Sequence, residues 1–379
     1  MLGERPAAVN LTPPRTRANL RAPGVIHDDN RRVWGSDAPP LPGEPRARAA
    51  GCGQVELITL RAVTIADFPA LHALLRRIEE QDRLPFAISL AEVEEWARDP
   101  HLDLARDMRD VEIEEGLVAW ARIWVRPSGS QEERAYLFGG VDSAFRGRGI
   151  GRAVLAWQIE RAEAILRAQG NDLPRWIRAN AFEEQTSNLK LYARLGMTPV
   201  RWNDELLRPL DGLPPPVDVP GITIVPWETA RNEEARVAQN DAFADHWGAT
   251  PRDRTAWEYE LTIHGTRLDL SFLALDTENG GRVVGVCRNG TYPDDERVTG
   301  RRDGWVLNVS VVRSHRKRGI ASALLVASLE AFHRAGFTHS MLGVDSENPT
   351  GAYGVYERLG WRPIHRVVVC QQQVPPTER

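Results

Sequence analysis

"FRGRGIGRAVL" (Phe145–Leu155) and "HRKRGIASALL" (His315–Leu325) pose one local problem twice: basic residues, a glycine, then an apolar helical pattern. In the first copy Arg146, Gly149 and Gly151 spell R-x-x-G-x-G, and in the second Arg316, Gly319 and Ala321 spell R-x-x-G-x-A. Each copy follows a strand-like stretch and opens a helix. Small residues here let backbone N–H groups approach a ligand with no side chain in between. A helix N-terminus adds unpaired donors and the positive end of the dipole. The combination is an anion site that suits a pyrophosphate. The spacing is neither the dinucleotide-binding fingerprint nor a P-loop, which needs G-K-[ST]. The surrounding cations (Arg146, Arg148 and Arg152; His315, Arg316, Lys317 and Arg318) are candidates to meet further phosphates. The alternative for a single copy is an ordinary helix start with exposed arginine; two copies in one context argue for a ligand.

The recurrence extends beyond the loops. Ile58 and Ile222, Tyr192 and Tyr356, and Gly196 and Gly360 all lie 164 positions apart, which marks an internal duplication. The glycines Gly149 and Gly319 lie 170 apart, so the copies differ in loop length between these points. Four segments follow: a tail over 1–53, a repeat over 54–210, a Pro-rich linker over 211–221 ("DGLPPPVDVPG") and a second repeat over 222–379. The tail is rich in Pro, Arg, Ala and Gly without periodicity and is expected to be disordered. The linker cannot propagate a helix or a central strand.

Within the first repeat a short β-like run precedes Asp67, the expected cap of a helix. Ser89 with Glu92 three residues on forms a capping-box pattern before a second helix. "LDLARDM", "GLVAWARIWVRP" and "RAYLFGGV" read as strands, then come the glycine loop and a helix stopping at Gly170. A strand over Trp176–Ala181, a helix ending "LYARLG" and a strand from Met197 complete the unit. The second repeat restates this order.

Across the 379 residues, 42% are hydrophobic and 26% charged, with a net charge of -4, as in a soluble globular protein. That balance gives no case for nucleic acid or an anionic membrane as the main partner. Cys52, Cys287 and Cys370 supply neither a disulfide framework nor a zinc spacing, so a cytoplasmic location and no metal are expected. No apolar run is long enough to span a bilayer.

Strand, two helices, three strands, R-x-x-G-x-[GA] helix, strand, "LYxRLG" helix, strand: this order resembles the GCN5-related N-acetyltransferase (GNAT) superfamily over both repeats. The tandem arrangement is similar to that of mycothiol synthase-type acetyltransferases. The resemblance implies an α/β fold of two tandem domains, each a mixed, mostly antiparallel sheet flanked by helices. It implies acetyl-CoA as cosubstrate, with pantetheine entering a splay between the fourth and fifth strands and pairing with the fourth.

Carried over residue by residue, the backbone of Val309 to Val311 in "WVLNVSVV" would pair with pantetheine and polarise the thioester carbonyl. The amides of Arg316, Lys317, Arg318, Gly319, Ile320 and Ala321 would hold the pyrophosphate, with Ser322 adding a hydroxyl. Tyr356 would protonate the departing thiolate, a role that suits a phenol of pKa ~10; it equally suits packing between helix and sheet. Asn348 would bond pantetheine or cap its helix. The first repeat offers Val141, Arg146, Gly147, Arg148, Gly149, Ile150, Gly151 and Tyr192 for the same roles. It has Glu184 where Asn348 stands and two glycines in "LFGGV", so it either catalyses, binds acyl-CoA or supports its partner. Asp303, Asp345, Glu347 and His246 are base candidates by location, a water relay being the alternative, and Asp245 and His246 are candidates for acceptor contact.

The implied activity is acetyl transfer from acetyl-CoA to the primary amine of a small molecule by direct attack, mainly in the second repeat. The alternatives are an acyl-CoA-binding module without turnover and a protein N-terminal acetyltransferase.

Overall fold

The structure is a computed structural model that describes residues 46–47, 58–99, 101–125, 131–244, 250–347 and 352–375. The bulk of the expected tail, and Asp245, His246 and Asn348, lie outside the described residues.

β1 (Arg46–Ala47) falls within the segment expected as a disordered tail, where it pairs with the first strand of the repeat. The first repeat itself begins with β2 (Ile58–Ala62), α1 (Phe68–Asp82), α2 (Leu90–Trp96) and α3 (Leu104–Asp107). It continues through β3 (Met108–Ile113), β4 (Gly116–Val125), β5 (Glu133–Val141), α4 (Ile150–Arg167), β6 (Arg175–Phe182), α5 (Thr186–Arg194) and β7 (Thr198–Pro209). The second contains β8 (Ile222–Pro226), α6 (Asn232–Phe243), α7 (Arg254–Glu260), β9 (Phe272–Asp276), β10 (Arg282–Thr291) and α8 (Asp295–Thr299). It ends with β11 (Asp303–Val311), α9 (Ile320–Arg334), β12 (His339–Asp345), α10 (Ala352–Arg358) and β13 (Arg362–Gln373).

The local signals mostly act as expected. Ser89 accepts the Glu92 N–H and the Glu92 carboxylate reaches back, closing the capping box of α2. Asp67 differs: its carboxylate accepts from the Thr64 N–H and hydroxyl (2.7 Å each) and from Arg61, so it closes the preceding turn instead of capping α1. "LDLARDM" is not one strand either. Asp103 accepts the Arg106 N–H and initiates the one-turn α3, and the strand begins only at Met108.

All thirteen strands among the described residues form one sheet, in the order β1-β2-β3-β4-β5-β6-β13-β7-β12-β11-β10-β9-β8. Each half is mixed and mostly antiparallel, with helices on both faces, as the fold class requires. The two halves exchange their last strands: β13 pairs with β6 of the first half, β7 pairs with β12 of the second, and β13 and β7 pair at the centre. The polarity of the two strands explains the exchange. At matching repeat positions β13 carries Val367, Val368 and Val369, whereas β7 carries Asn203, Asp204 and Glu205. Val367 and Val369 pack with Phe86 and Phe182 on one face of the first half, and Val368 with Ile177 and Ala179 on the other. Placing β7 there would bury Asp204 and Glu205 in apolar surroundings, which is costly for a carboxylate. The Pro-rich segment 211–221 falls between β7 and β8. It lies against the second half, where Leu213, Val217 and Val219 join its core.

Candidate active site

Two gaps in the sheet define the candidate site. In the second half β11 and β12 run parallel and pair from Asp303–His339 only as far as Val306–Leu342. β11 continues to Val311, so its edge from Leu307 onward is unpaired on the β12 side. A bulge at the same point, between Arg288/Asn289 of β10 and their β11 partners, skips Leu307. The Val312 N–H bonds to Val284 O (2.9 Å), which turns the backbone groups of 312, 310 and 308 toward β10. By alternation those of Val309 and Val311 face the gap. The first half repeats this: β5–β6 pairing ends at Leu137–Ala179, and the Asp142 N–H bonds to Val118 O, leaving Val141 facing the gap. There β4 and β5 stay in register to the end, without a bulge.

Each gap opens toward a glycine loop. Gly149 (φ 88°) and Gly319 (φ 89°) both adopt the left-handed conformation as N-caps, of α4 and α9 respectively. Two positions earlier the chain is left-handed again, at Gly147 (φ 80°) and at Lys317 (φ 63°). Alternating conformations of this kind turn successive N–H groups inward as a nest for an anion. A Cβ on Gly151 would make only ordinary contacts, with Leu191 at 3.4 Å and Val141 at 3.6 Å, which explains why the second copy tolerates Ala321. Ile150 and Ile320 are buried, so they contribute backbone to the loop and side chains to the core. Ser322 stands in the first turn of α9, partly exposed.

The basic side chains divide into anchors and exposed cations. Arg146 clasps Asp82 of α1 at 2.7 and 2.8 Å and donates to Val141 O. Arg316 donates to Ala242 O of α6. Both tie the loop to the helix in front of it. His315 is buried, with Nε2 3.0 Å from Asp276, and so turns away from the loop. Arg318 reaches Pro220 O of the linker, and Arg148 lies over the Phe145 ring. Lys317, Arg148, Arg152 and Arg318 are exposed beside the two nests.

The tyrosines differ. The Tyr192 hydroxyl donates to Asn180 O at 3.0 Å. Tyr356 is 1% exposed, edge-on to Trp361, and its hydroxyl has no hydrogen-bond partner among the described residues. Burial, reinforced by Cys287, pushes the Tyr356 phenol well above its ordinary value, and burial with nearby Cys370 pushes Tyr192 up as well. Both phenols are therefore held protonated. Cys287, in contact with Ser328 Oγ at 3.2 Å, is pushed up to about 12 by burial and is no nucleophile at neutral pH.

The base candidates are engaged: Asp345 and Glu347 both pair with Arg201, and Asp303 pairs with Arg301 at the far end of β11. Sequence reasoning missed Gln239, Asn308 and Ser310. The alternation of Asn308 and Ser310 with Val309 and Val311 in "NVSV" was the available signal, since it puts two polar side chains on an inward face. Among the described residues no group of His, Cys, Asp and Glu could hold a metal ion, and no helix is long and apolar enough to cross a membrane.

The acetyltransferase (GNAT) family model matches the chain over 68–197 and again over 232–361, together more than half its length. Among solved structures, a GCN5-related N-acetyltransferase from Sphaerobacter thermophilus is 28% identical with a TM-score of 0.65, covering 84% of this chain and 96% of that one. A tandem GNAT protein from the clavulanic acid biosynthesis pathway is 17% identical with a TM-score of 0.61, covering 84% and 98%. No curated protein matches significantly.

Proposed function

Because the chain belongs to the acetyltransferase (GNAT) family, in tandem form, we propose that it transfers an acetyl group from acetyl-CoA to the primary amine of a small molecule, mainly in its second half. The observation that carries this reading is the unpaired edge of β11 from Leu307 onward, leading straight to the left-handed nest at Lys317 and Gly319. An extended pantetheine chain fits such an edge, with the N–H groups of Val309 and Val311 as donors. A pyrophosphate fits the amides from Arg316 to Ala321, with Ser322 beside them. Arg146 and Arg316 position these loops, while Lys317 and Arg318 supply charge.

The amine lone pair attacks the thioester carbon directly; the C–N bond forms, and the C–S bond breaks as the carbonyl is restored. A backbone N–H at Val309 or Val311 is the donor for the transient oxyanion. The thiolate leaves with the Tyr356 proton, water takes the proton from the amine, and solvent returns it to the Tyr356 oxygen. The buried, otherwise unengaged Tyr356 hydroxyl suits a general acid. The Tyr192 hydroxyl donates its hydrogen bond to Asn180 O, and the first half lacks the bulge. Those differences favour an acyl-CoA-binding or supporting role for the first half, through Val141 and the amides from Arg146 to Gly151.

The test is Tyr356→Phe. Loss of a general acid lowers kcat by roughly 10²–10⁴-fold while acetyl-CoA affinity holds. An unchanged kcat removes Tyr356 from the mechanism, and a protein that binds no acetyl-CoA ends the transferase reading.

A further inference from the structure

On the face of the second half covered by α6 and α7, Gln239, Asn308 and Ser310 have lost water without gaining a partner. Gln239 of α6 and Ser310 of β11 are 1% exposed, and Asn308 of β11 is 2% exposed. Both amide atoms of Gln239, both of Asn308 and the hydroxyl of Ser310 are buried with no hydrogen bond. Register places them together. Asn308 stands opposite Arg288 and Ser310 opposite Val286, and opposed residues project from the same face. Arg288 lies over the Trp257 ring of α7, and Val286 packs with Ala235 and Ala238 of α6. Gln239 follows Ala238 and lies between Ala235 and Ala242 on the buried side of that helix. Five buried polar atoms left unmade would be a heavy cost in a structural core, where such groups are nearly always paired. Asn308 and Ser310 also flank Val309, whose backbone faces the proposed thioester.

The first half shows what this face looks like when filled. Repeat positions put Leu75, Phe138 and Gly140 where Gln239, Asn308 and Ser310 stand. Leu75 and Phe138 belong to a continuous apolar core. Arg122, the counterpart of Arg288, is closed between Trp96 (4.8 Å) and Phe138 (4.9 Å). A Cβ on Gly140 would come within 3.0 Å of Ile78, so α1 sits down on β5 with no space between them.

Resting on the transferase reading, we infer that Gln239, Asn308 and Ser310 form the acceptor-recognition pocket, and that it selects amines bearing uncharged hydroxyl or amide groups. The chemistry follows from the donors. Two carboxamides and a hydroxyl both donate and accept, as a hydroxyl or amide requires. The nearby charges are engaged with one another: Glu260 is shared by Arg288 at 2.8 Å and Arg252 at 2.9 Å, which leaves the trio cationic. A second ammonium on the acceptor would lose its hydration there beside two guanidiniums, and a carboxylate would have to compete with Glu260 for them. The filled first half takes no acceptor.

Two matched pairs of amines test this: serinol against isopropylamine, and glycinamide against glycine. Each is assayed by acetyl transfer and by calorimetric binding to the CoA-loaded and free protein. Serinol and glycinamide are expected to exceed their partners at least tenfold in kcat/KM. In Asn308→Leu that preference collapses, with Gln239→Leu behaving likewise, while acetyl-CoA affinity stays within twofold. The melting temperature of Asn308→Leu holds or rises, because an unpaired buried amide has been replaced by hydrocarbon. Preference for glycine or isopropylamine, or a preference that survives in both variants, overturns the inference. So does a melting temperature that falls by several degrees, which would make Asn308 structural. If acetyl-CoA fails to bind, the transferase reading falls. Calorimetric binding of serinol or glycinamide that Asn308→Leu abolishes would still support the pocket, and equal binding to both proteins would refute it.

Discussion

Terminating the chain after Arg366 removes the part of β13 that pairs with β6, without altering any residue of the first repeat. The removed segment includes Val367, Val368 and Val369, all at most 4% exposed, and Cys370 at 1%. Full burial of a valine side chain is worth ~1.5–3 kcal/mol, so the three together contribute roughly 5–9 kcal/mol. Native domains are stable by only ~5–15 kcal/mol, so this loss is enough to open the half that contains them. β7 offers no rescue, because it would bring Asn203, Asp204 and Glu205 into the vacated position. Hydrogen exchange read by mass spectrometry reports the outcome by peptide. Protection is expected to collapse over β4, β5 and β6, and to persist over β10, β11 and α9. The opposite pattern, with β6 protected and the second half exposed, would refute the exchanged-strand argument. Intact protection in both halves would refute the energetic one.

Replacing Lys317 with glycine relieves a left-handed backbone that costs an L-residue ~1–2 kcal/mol, less the added freedom of an unfolded glycine. Chemical denaturation should therefore show a gain of about 0.5–1 kcal/mol, together with weaker acetyl-CoA binding at low salt as one loop cation is lost. Cys287 and Cys370, pushed up by burial to about 12 and about 11, should resist alkylation at pH 8 in the folded protein and react on unfolding. Peptide mapping of the labelled protein checks this. The Asp276 carboxyl is held down at about 2, chiefly by the Asn279 side chain and then by His315. A carboxyl with a lowered folded-state pKa stabilises above its unfolded value of ~3.9, and that contribution fades as pH falls toward about 2. Denaturation at pH 5 and pH 3 should show a steeper acid loss in the wild type than in Asp276→Asn.

The order of elements, the duplication and both glycine loops were legible in the sequence because each rests on local chemistry. A left-handed cap requires Gly149 or Gly319, Ser89 with Glu92 closes a helix start, and apolar periodicity marks α4 and α9. Tyr356 was singled out by the family resemblance of its "GVYERLG" helix, and Tyr192, 164 residues before it, marks the matching position of the first repeat. What the sequence could not supply was partnership. Arg316 and Lys317 look alike on the page, yet one is anchored to α6 and the other is exposed. His315 reads as a loop cation until Asp276 of a separate strand takes it. Asp67 looks like a helix cap until Thr64 and Arg61 claim its carboxylate.

The exchange of β7 and β13 is written in the contrast of Val367–Val369 with Asn203–Glu205, but only as a preference for apolar over polar surroundings, since both segments are buried. Which core receives the valines depends on edges at β6 and β12 that exist only once both halves have formed. The same holds for Gln239, Asn308 and Ser310. Alternation placed two of them on an inward face, and only the packing of α6 over β11 removed water from all three while giving none of them a partner. Sequence fixes what each residue can offer, through its charge, shape and backbone freedom. Tertiary structure decides which offers are taken up, because long-range contacts determine where water is excluded.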